Sequence, residues 1–492
     1  MNKTTLSIIP HFTHIVLITC PVLLILGIGL GLTACVVQAP QPSAYTPTAF
    51  VANIVPSPSS VQKEINVEQL TAQTTPSLPI ALINPAGVSV NFWYSMPSEQ
   101  ILPLIDEFNK TNQWGIVVKG WMQSSNNDLS EYISQGLLQK DNPQVAMAFT
   151  DQAVRWDIRN EVVDLTPFIK DIQWGLKADE SDDYFEYVWR YGVVNQKRLS
   201  VPALMTGKFF FYNQTWAKEM GFDQPPSTTE EFTKQVCAGN EYRKQDDKVE
   251  NDYTGGWLAN IEPGVMLGWF YAFGGDIINQ SNVKEQYSFD TEANQSAFFF
   301  LKNLYDKNCI YVSTEAYGDE EFVQRRALVV SGGTVDLPYQ KMAFLEANSQ
   351  DEWTMLPFPS QTQQTYTPIQ IPSFVLLPAK PEEQLASWLF VRWMLSPSSQ
   401  AKWSSLSGYY PARISARDLM EVYAKANPQW KAGYDWLSKG KSEPVLPSWG
   451  SVRWALQDAN IQLFRPYFTT ERVPLTLQEL DRTSMEMIEM RR

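Results

Sequence analysis

Between Val88 and Asp151 the chain alternates strand-like and helix-like segments, and this order constrains the fold more than any other feature. "VSVNFWYSM" (Val88–Met96) alternates apolar and polar positions, is rich in β-formers and stops at Pro97. "ILPLIDEFNKT" follows with apolar residues at helical spacing. "GIVVKGW" (Gly115–Trp121) is a second strand and "DLSEYISQGLLQ" a second amphipathic helix. "PQVAMAFTD" (Pro143–Asp151) is a short continuous apolar run, as expected of a strand buried on both faces. A β-α-β-α-β order predicts a parallel, doubly wound sheet. Ligands of such sheets sit beyond the carboxyl ends of the strands. Trp93, Tyr94, Ser95, Trp121 and Asp151 are therefore cleft candidates on position alone.

Further along, "LSVPALMTGKFFFYN" (Leu199–Asn213) is a long apolar stretch broken by Pro202 and Gly207. It reads as a strand that leaves one lobe and enters the next. "PPSTTEEF" carries a Ser/Thr cap with acids in the first turn, which marks a helix start. The carboxylates of "GNEYRKQDDKVENDYTGGW" lack the ligand spacing of an EF-hand and read as a solvated loop. "EANQSAFFFLKNLYDKN" is a helix. "RRALVVSGGTVDLPY" is a strand ending in Gly332-Gly333, which permits close backbone approach. "IPSFVLLPAK" is another strand, and Trp388 and Trp393 belong to the apolar face of the helix that follows. No internal repeat is visible.

The first 87 residues have a different character. An apolar run from Ile15 to Leu32 is long enough to cross a bilayer, so its length does not separate a signal peptide from an anchor. It ends in Leu32-Thr33-Ala34-Cys35: small residues beside a scissile position, with a thiol directly after. This is the pattern of a bacterial lipoprotein signal. Residues 1–34 are expected to be removed and Cys35 to be lipidated, and several acyl chains make a stable anchor. From Val36 to Ala86 there are eight prolines and only three charges, Lys63, Glu64 and Glu68. Residues 35–87 are therefore expected to form a disordered tether.

The remaining body, 88–492, exceeds what one core ordinarily holds, so two lobes are expected. The chain carries a formal charge of −14. Such an acidic body argues against a nucleic-acid partner. Both histidines, His11 and His14, lie in the removable leader. A Ser-His-Asp or Cys-His site and a His-ligated metal are thereby excluded from the mature chain. Two body cysteines, Cys237 and Cys309, cannot make a four-cysteine zinc site; in an exported protein such a pair is expected to form a disulfide. No cofactor is expected.

The order of several segments resembles one family. "FWYSM…LIDEFNK", "VPALMTGKFFFYNQTWAKEMGFDQPPSTTEEF", "YAFGGDIIN", "ALVVSGG" and "WLFVRWMLSPSSQAKWSSLSGYYPAR" together resemble the extracytoplasmic solute-binding proteins of carbohydrate ABC transporters, the maltose-binding-protein-like family. "FWYSM" and the last third are also similar to its glycerol-3-phosphate-binding branch. The chain departs from the family where a Trp usually follows the Pro-Pro-x-Thr turn, since Thr229 stands there.

The resemblance implies an α/β protein with the type II periplasmic-binding-protein fold. In it, two lobes, each a doubly wound sheet with flanking helices, are joined by three crossing segments. The crossings would fall near Pro202–Phe210, Thr367–Phe374 and Gly408–Arg413. Lobe 1 would comprise 88–201 and 373–408, and lobe 2 would comprise 202–372 and 409–492. The implied protein is a monomer, lipid-anchored outside the cell membrane, that binds a small carbohydrate and delivers it to permease subunits.

A sugar presents apolar C–H faces that stack on aromatic rings, and hydroxyls that need fixed donors and acceptors. The candidates at strand ends and crossings are Trp93, Tyr94, Asp151, Lys208, Trp257, Trp269, Gly333, Asp336, Tyr409 and Arg413. Tyr94 and Trp257 would stack, Asp151 and Asp336 would accept from hydroxyls, and Lys208 and Arg413 would donate. Two alternatives stay open: glycerol-3-phosphate or a glycerophosphodiester in the same fold, and a glycoside hydrolase working with two carboxylates. A surface adhesion protein with no transport role is a third alternative.

Overall fold

The computed structural model describes residues 79–139, 143–278, 286–312, 318–362, 364 and 366–489. All of them belong to the second of two compact units, Thr74–Arg492. The expected leader, Cys35 and most of the expected tether lie outside the described residues. The tether does not reach Gly87 as expected. Pro79 already begins ordered structure, with a short turn of helix at Ile80–Leu82. Ile80 and Ile83 pack against the first lobe's core, and Gly87 N–H donates to the Trp114 carbonyl at 3.0 Å. The buried isoleucine surface offsets the cost of ordering this stretch.

The first lobe is built on a five-stranded sheet. Ser89–Tyr94 lies between Val117–Met122 and Val145–Ala148, parallel to both. Ser373–Leu376 then pairs antiparallel with Val145–Ala148, and Val201–Pro202 pairs antiparallel with Ser373–Leu376. The sheet is thus mixed where the β-α-β-α-β order predicts a parallel one. Its reversed strand is the one that returns from the other lobe, so its direction is set by where it enters. Phe92, Phe108, Phe374 and Phe390 form the aromatic centre of this core.

The second lobe is built around the ten-residue strand Leu204–Asn213. It pairs antiparallel with Ala327–Gly333, Trp353–Leu356, Thr367–Gln370 and Tyr410–Pro411. Beyond Ala327–Gly333 the sheet continues in parallel through Gly255–Leu258 and Ile310–Tyr311. The helix Thr229–Arg243 flanks it and opens as its sequence requires: Thr228 accepts from Glu231 N–H at 3.2 Å, and the Glu231 carboxylate reaches back to Thr228 N–H at 3.1 Å.

The chain passes from one sheet to the other between Pro202 and Leu204, and again between Gln370 and Ser373. The third passage, at Tyr410–Pro411, lies against Leu204 and Met205. Ala203 and Leu204 N–H both donate to the Pro372 carbonyl, so the passages are bonded to one another. Gly408 precedes the third with φ +77°, and a Cβ there would lie 3.0 Å from the Thr334 carbonyl. Only glycine meets both demands at low cost.

One segment departs from the expected partition. The helix Glu186–Tyr191, placed by sequence in lobe 1, packs with the core around Met205, Phe209, Ile369 and Leu437. Tyr187 Oη donates to the Leu437 carbonyl at 3.0 Å. Aromatic surface on Tyr184, Tyr187 and Tyr191 finds its apolar partners there.

Cys237 and Cys309 are joined by a disulfide across a sequence separation of 72 residues. It ties the helix Thr229–Arg243 to the residue before the strand Ile310–Tyr311. Constraining a loop of this length is worth roughly 4 kcal/mol on the chain-entropy account. The double variant Cys237→Ser/Cys309→Ser is expected to lose stability of about that size. The check is a lowered denaturation midpoint, reproduced in the wild type only when reductant is added.

Candidate functional site

Two cavities adjoin, and one of them is lined from the sides of both sheets. This one, of about 370 Å³, is lined from the first sheet's side by Asn126, Asp151, Gln152 and Arg155, with Tyr191 beside them. From the other side come Glu262, Gln370, Glu443, Trp449, Arg453, Trp454 and Gln457. The second, of about 450 Å³, lies at the carboxyl ends of Gly255–Leu258 and Ala327–Gly333 and is lined by Lys208, Asp319, Ser331, Asp336 and Gln340 among others. Glu262 and Gln457 border both, so the two cavities adjoin.

Local structure explains the placement. Asp151 is the second residue of the helix Thr150–Asp157, which begins directly after the buried strand Val145–Ala148. Glu262 leads into the helix Pro263–Ala272, whose N-terminal Pro is preset for a helix start. Trp449, Arg453 and Gln457 recur every fourth residue on the helix Trp449–Leu463, so one face of it paves the cleft.

A chain of charges runs along this floor. Lys208 Nζ is bonded to the Glu262 carboxylate, and Arg453 reaches Glu262 at 3.4 Å and Glu443 at 3.0 Å. Glu443 also accepts from Trp449 Nε1 at 2.9 Å and from Gln370 Nε2 at 2.9 Å. Burial opposes the charge on Glu262, but Lys208 and Arg453 outweigh it and hold its carboxyl below the usual range. Burial likewise opposes the charge on Lys208; Glu262 and then Asp336 prevail and raise its pKa.

Asp151 faces the other way electrostatically. It is 6% exposed, and burial pushes its pKa up to about 6. Arg155 and Arg453 pull it down, and Glu443 pushes it further up. Glu443 and Arg453 belong to the opposite side of the cleft, so the two sides act on one another here. A Cβ on Gly450 would lie 3.8 Å from Asp151 Oδ2, which shows how closely the opposite helix approaches.

Of the ten candidates read from the sequence, Asp151, Lys208 and Asp336 line the cleft. Tyr409 stands beside it: burial and then Asp336 push its phenol up to about 12. The rest are corrected by their surroundings. Tyr94 is in the first lobe's core with its hydroxyl 3.2 Å from Ser98 Oγ, and Trp93 is half-buried against Ala146 and Ala148. Trp257 (1% exposed) and Trp269 (0%) pack with Phe210 and Phe232 in the second lobe's core. Trp257 also donates to Ser331 Oγ at 3.0 Å. Their aromatic surface is spent on other rings, so neither stacks on a ligand.

Arg413 donates through Nε to Asp183 at 2.7 Å and lies over the Tyr184 ring, so its charge is structural. Gly333 is held by strand packing: a Cβ would meet the Gly207 carbonyl at 3.0 Å, and its N–H donates to Asp336 Oδ2 at 2.7 Å. Thr229, the position where the family usually carries Trp, lines neither cavity.

Glu262, Glu443, Arg453, Trp454 and Asp319 were not singled out from sequence. The four-residue spacing in "WGSVRWALQ" was the available signal for the paving helix.

This geometry defines a two-lobed α/β clamp with a polar, carboxylate-rich cleft between its sheets. The family model for bacterial extracellular solute-binding proteins matches residues 103–432, and the chain belongs to that family. No curated protein matches the sequence. Solved structures share the two-lobe fold of sugar-binding proteins. The cyclic α-maltosyl-1,6-maltose binding protein of Arthrobacter globiformis is 16% identical, with TM-score 0.68, covering 81% of this chain and 99% of that one. The sugar-binding protein MalE of Xanthomonas citri is 20% identical, with TM-score 0.69, covering 82% and 98%. UgpB of Mycobacterium tuberculosis, solved with glycerophosphocholine, is 17% identical, with TM-score 0.66, covering 82% and 98%.

Asp151 and Asp319, both held at about 6 by burial, set a pH dependence. Their folded pKa values lie above the unfolded value near 3.8, so the folded state binds more protons between about pH 4 and 6. Stability from these two groups is therefore fully present near pH 4 and falls as pH rises through 6. The variant Asp151→Asn/Asp319→Asn is expected to flatten that fall and to melt higher than the wild type at pH 7.5. Melting curves from pH 4.5 to 7.5 measure it, and an unchanged slope would refute the assignment.

Proposed function

We propose that the chain is the lipid-anchored binding component of an ABC importer, capturing a sugar or oligosaccharide between its lobes and passing it to a permease without altering it. One observation carries the ligand class. Trp454 is 59% exposed although its ring lines the cleft, and around it stand carboxylates, amides and guanidinium groups. A large aromatic surface left in contact with solvent beside hydrogen-bonding groups suits a sugar, which has an apolar face and a polar edge. Solved structures that share the fold include a cyclic α-maltosyl-1,6-maltose binding protein and a maltotriose binding protein, which supports the same reading.

The charges separate it from the phosphodiester alternative. Lys208 and Arg453 are committed to carboxylates, and Arg155 donates to Ser130 Oγ at 3.1 Å. An anionic ligand would have to displace Glu262 or Glu443 from Lys208 and Arg453. A neutral ligand need not.

A ligand that touches both lobes binds the closed arrangement better and shifts the population toward it. The permease would read that closed shape. Cys35, once acylated, would keep the body at the outer membrane surface through the Pro-rich tether.

A thermal-shift panel of oligosaccharides and glycerophosphodiesters tests the ligand class, since binding to the native state alone raises the midpoint. At least one neutral oligosaccharide is expected to raise it and to shrink the radius of gyration in solution scattering. Trp454→Ala is expected to weaken that binding about tenfold, the value of one aromatic contact, with the unliganded midpoint unchanged. Stabilisation by phosphodiesters alone would overturn the sugar reading. Cys35→Ser should release the chain from the membrane fraction; retention would overturn the lipid anchor.

A further inference from the structure

The cavity at the carboxyl ends of Gly255–Leu258 and Ala327–Gly333 has an unbalanced inventory. Three carboxylates line it, Glu262, Asp319 and Asp336, against one cation, Lys208. Lys208 is bonded to Glu262. Asp336 Oδ2 takes the Gly333 N–H at 2.7 Å. Among the described residues, no hydrogen-bond donor reaches the Asp319 carboxylate, and the charges that act on it, Asp336 and Glu321, repel its own.

Gln340 supplies an independent sign. It is fully buried, lines the same cavity and spends its Nε2 on the Asp319 backbone carbonyl at 3.3 Å. Its Oε1 accepts no hydrogen bond among the described residues. A buried acceptor without a donor is unfavourable, so a bound group that donates is favoured there. A hydroxyl brings one proton and no charge. An ammonium brings three donors and the countercharge that Asp319 lacks, Lys208 already acting on Asp336.

We propose that the ligand of this cleft carries a protonated amine, held between Asp319, Asp336 and the Gln340 amide oxygen. This rests on the carbohydrate-binding reading and narrows it to amine-bearing sugars. The rest of the cleft, with Trp454 and the Glu443–Arg453 pair, takes the neutral rings. A metal cation would share the charge but not the directed donors, and the experiment separates the two.

The test uses the mature chain and matched probes: maltotetraose and cellotetraose, each beside its amino-deoxy counterpart, with calcium chloride run alone. Calorimetry is expected to show at least one amino sugar binding about tenfold tighter than its neutral parent, the worth of one charge-assisted hydrogen bond over a neutral one. In Asp319→Asn the ratio of amino to neutral affinity, measured on the same variant, should fall to about threefold or less. Asp336→Asn gives a second reading of the same loss.

Neutral parents binding as well as their amino counterparts would overturn this inference and leave the carbohydrate reading standing. If no sugar of either kind binds, both fall. A preference that survives both Asn variants, or saturable calcium binding lost in Asp319→Asn, would also overturn it.

Discussion

Everything in this molecule hangs on the strand Leu204–Asn213. It begins two residues after the last strand of one sheet and serves as the centre of the other, pairing with four strands. The two returning passages are bonded against its first four residues, at Leu204–Met205 and Thr206–Gly207. A strand in this position must satisfy backbone groups along both edges while being buried on both faces. Its near-continuous apolar sequence, "LMTGKFFFYN", follows from that demand. The single charge in it, Lys208, is tolerated because it points into the cleft and meets Glu262. The same strand that joins the lobes thereby supplies the first charge of the site between them.

From Lys208 the charges propagate in alternation through Glu262, Arg453 and Glu443. Each buried charge is compensated by the next, which makes a polar floor possible in a place where isolated ions would cost several kcal/mol each. Where the alternation stops, at Asp151 on one side and Asp319 on the other, carboxylates are left with raised pKa values. Under the proposed function, ligand chemistry would concentrate at these ends, since groups already paired have little left to offer.

Much of the fold was legible in the chain. Strand and helix periodicity placed Ser89–Tyr94, Val145–Ala148 and the Thr228-capped helix because backbone pairing and capping depend on near neighbours. The site was less legible. Asp151 and Asp336 follow strand ends and Lys208 lies in a crossing, positions that local pattern marks, and all three line the cavities. Trp257 and Trp269 were misjudged because nothing in their local sequence says which ring faces a cavity and which faces Phe210. Arg413 was misjudged because its partner, Asp183, is 230 residues away.

Taken alone, the order of residues settled the α/β class and the absence of histidine beyond His14. Both follow from composition and short-range periodicity, which need no knowledge of distant contacts. The lining of the cleft was settled only when segments from Asn126, Asp151, Glu262, Asp319 and Arg453 came together in space. Whether a carboxylate is spent or available depends on its desolvation and on the charges beside it, and those neighbours are brought near by packing, not by adjacency along the chain.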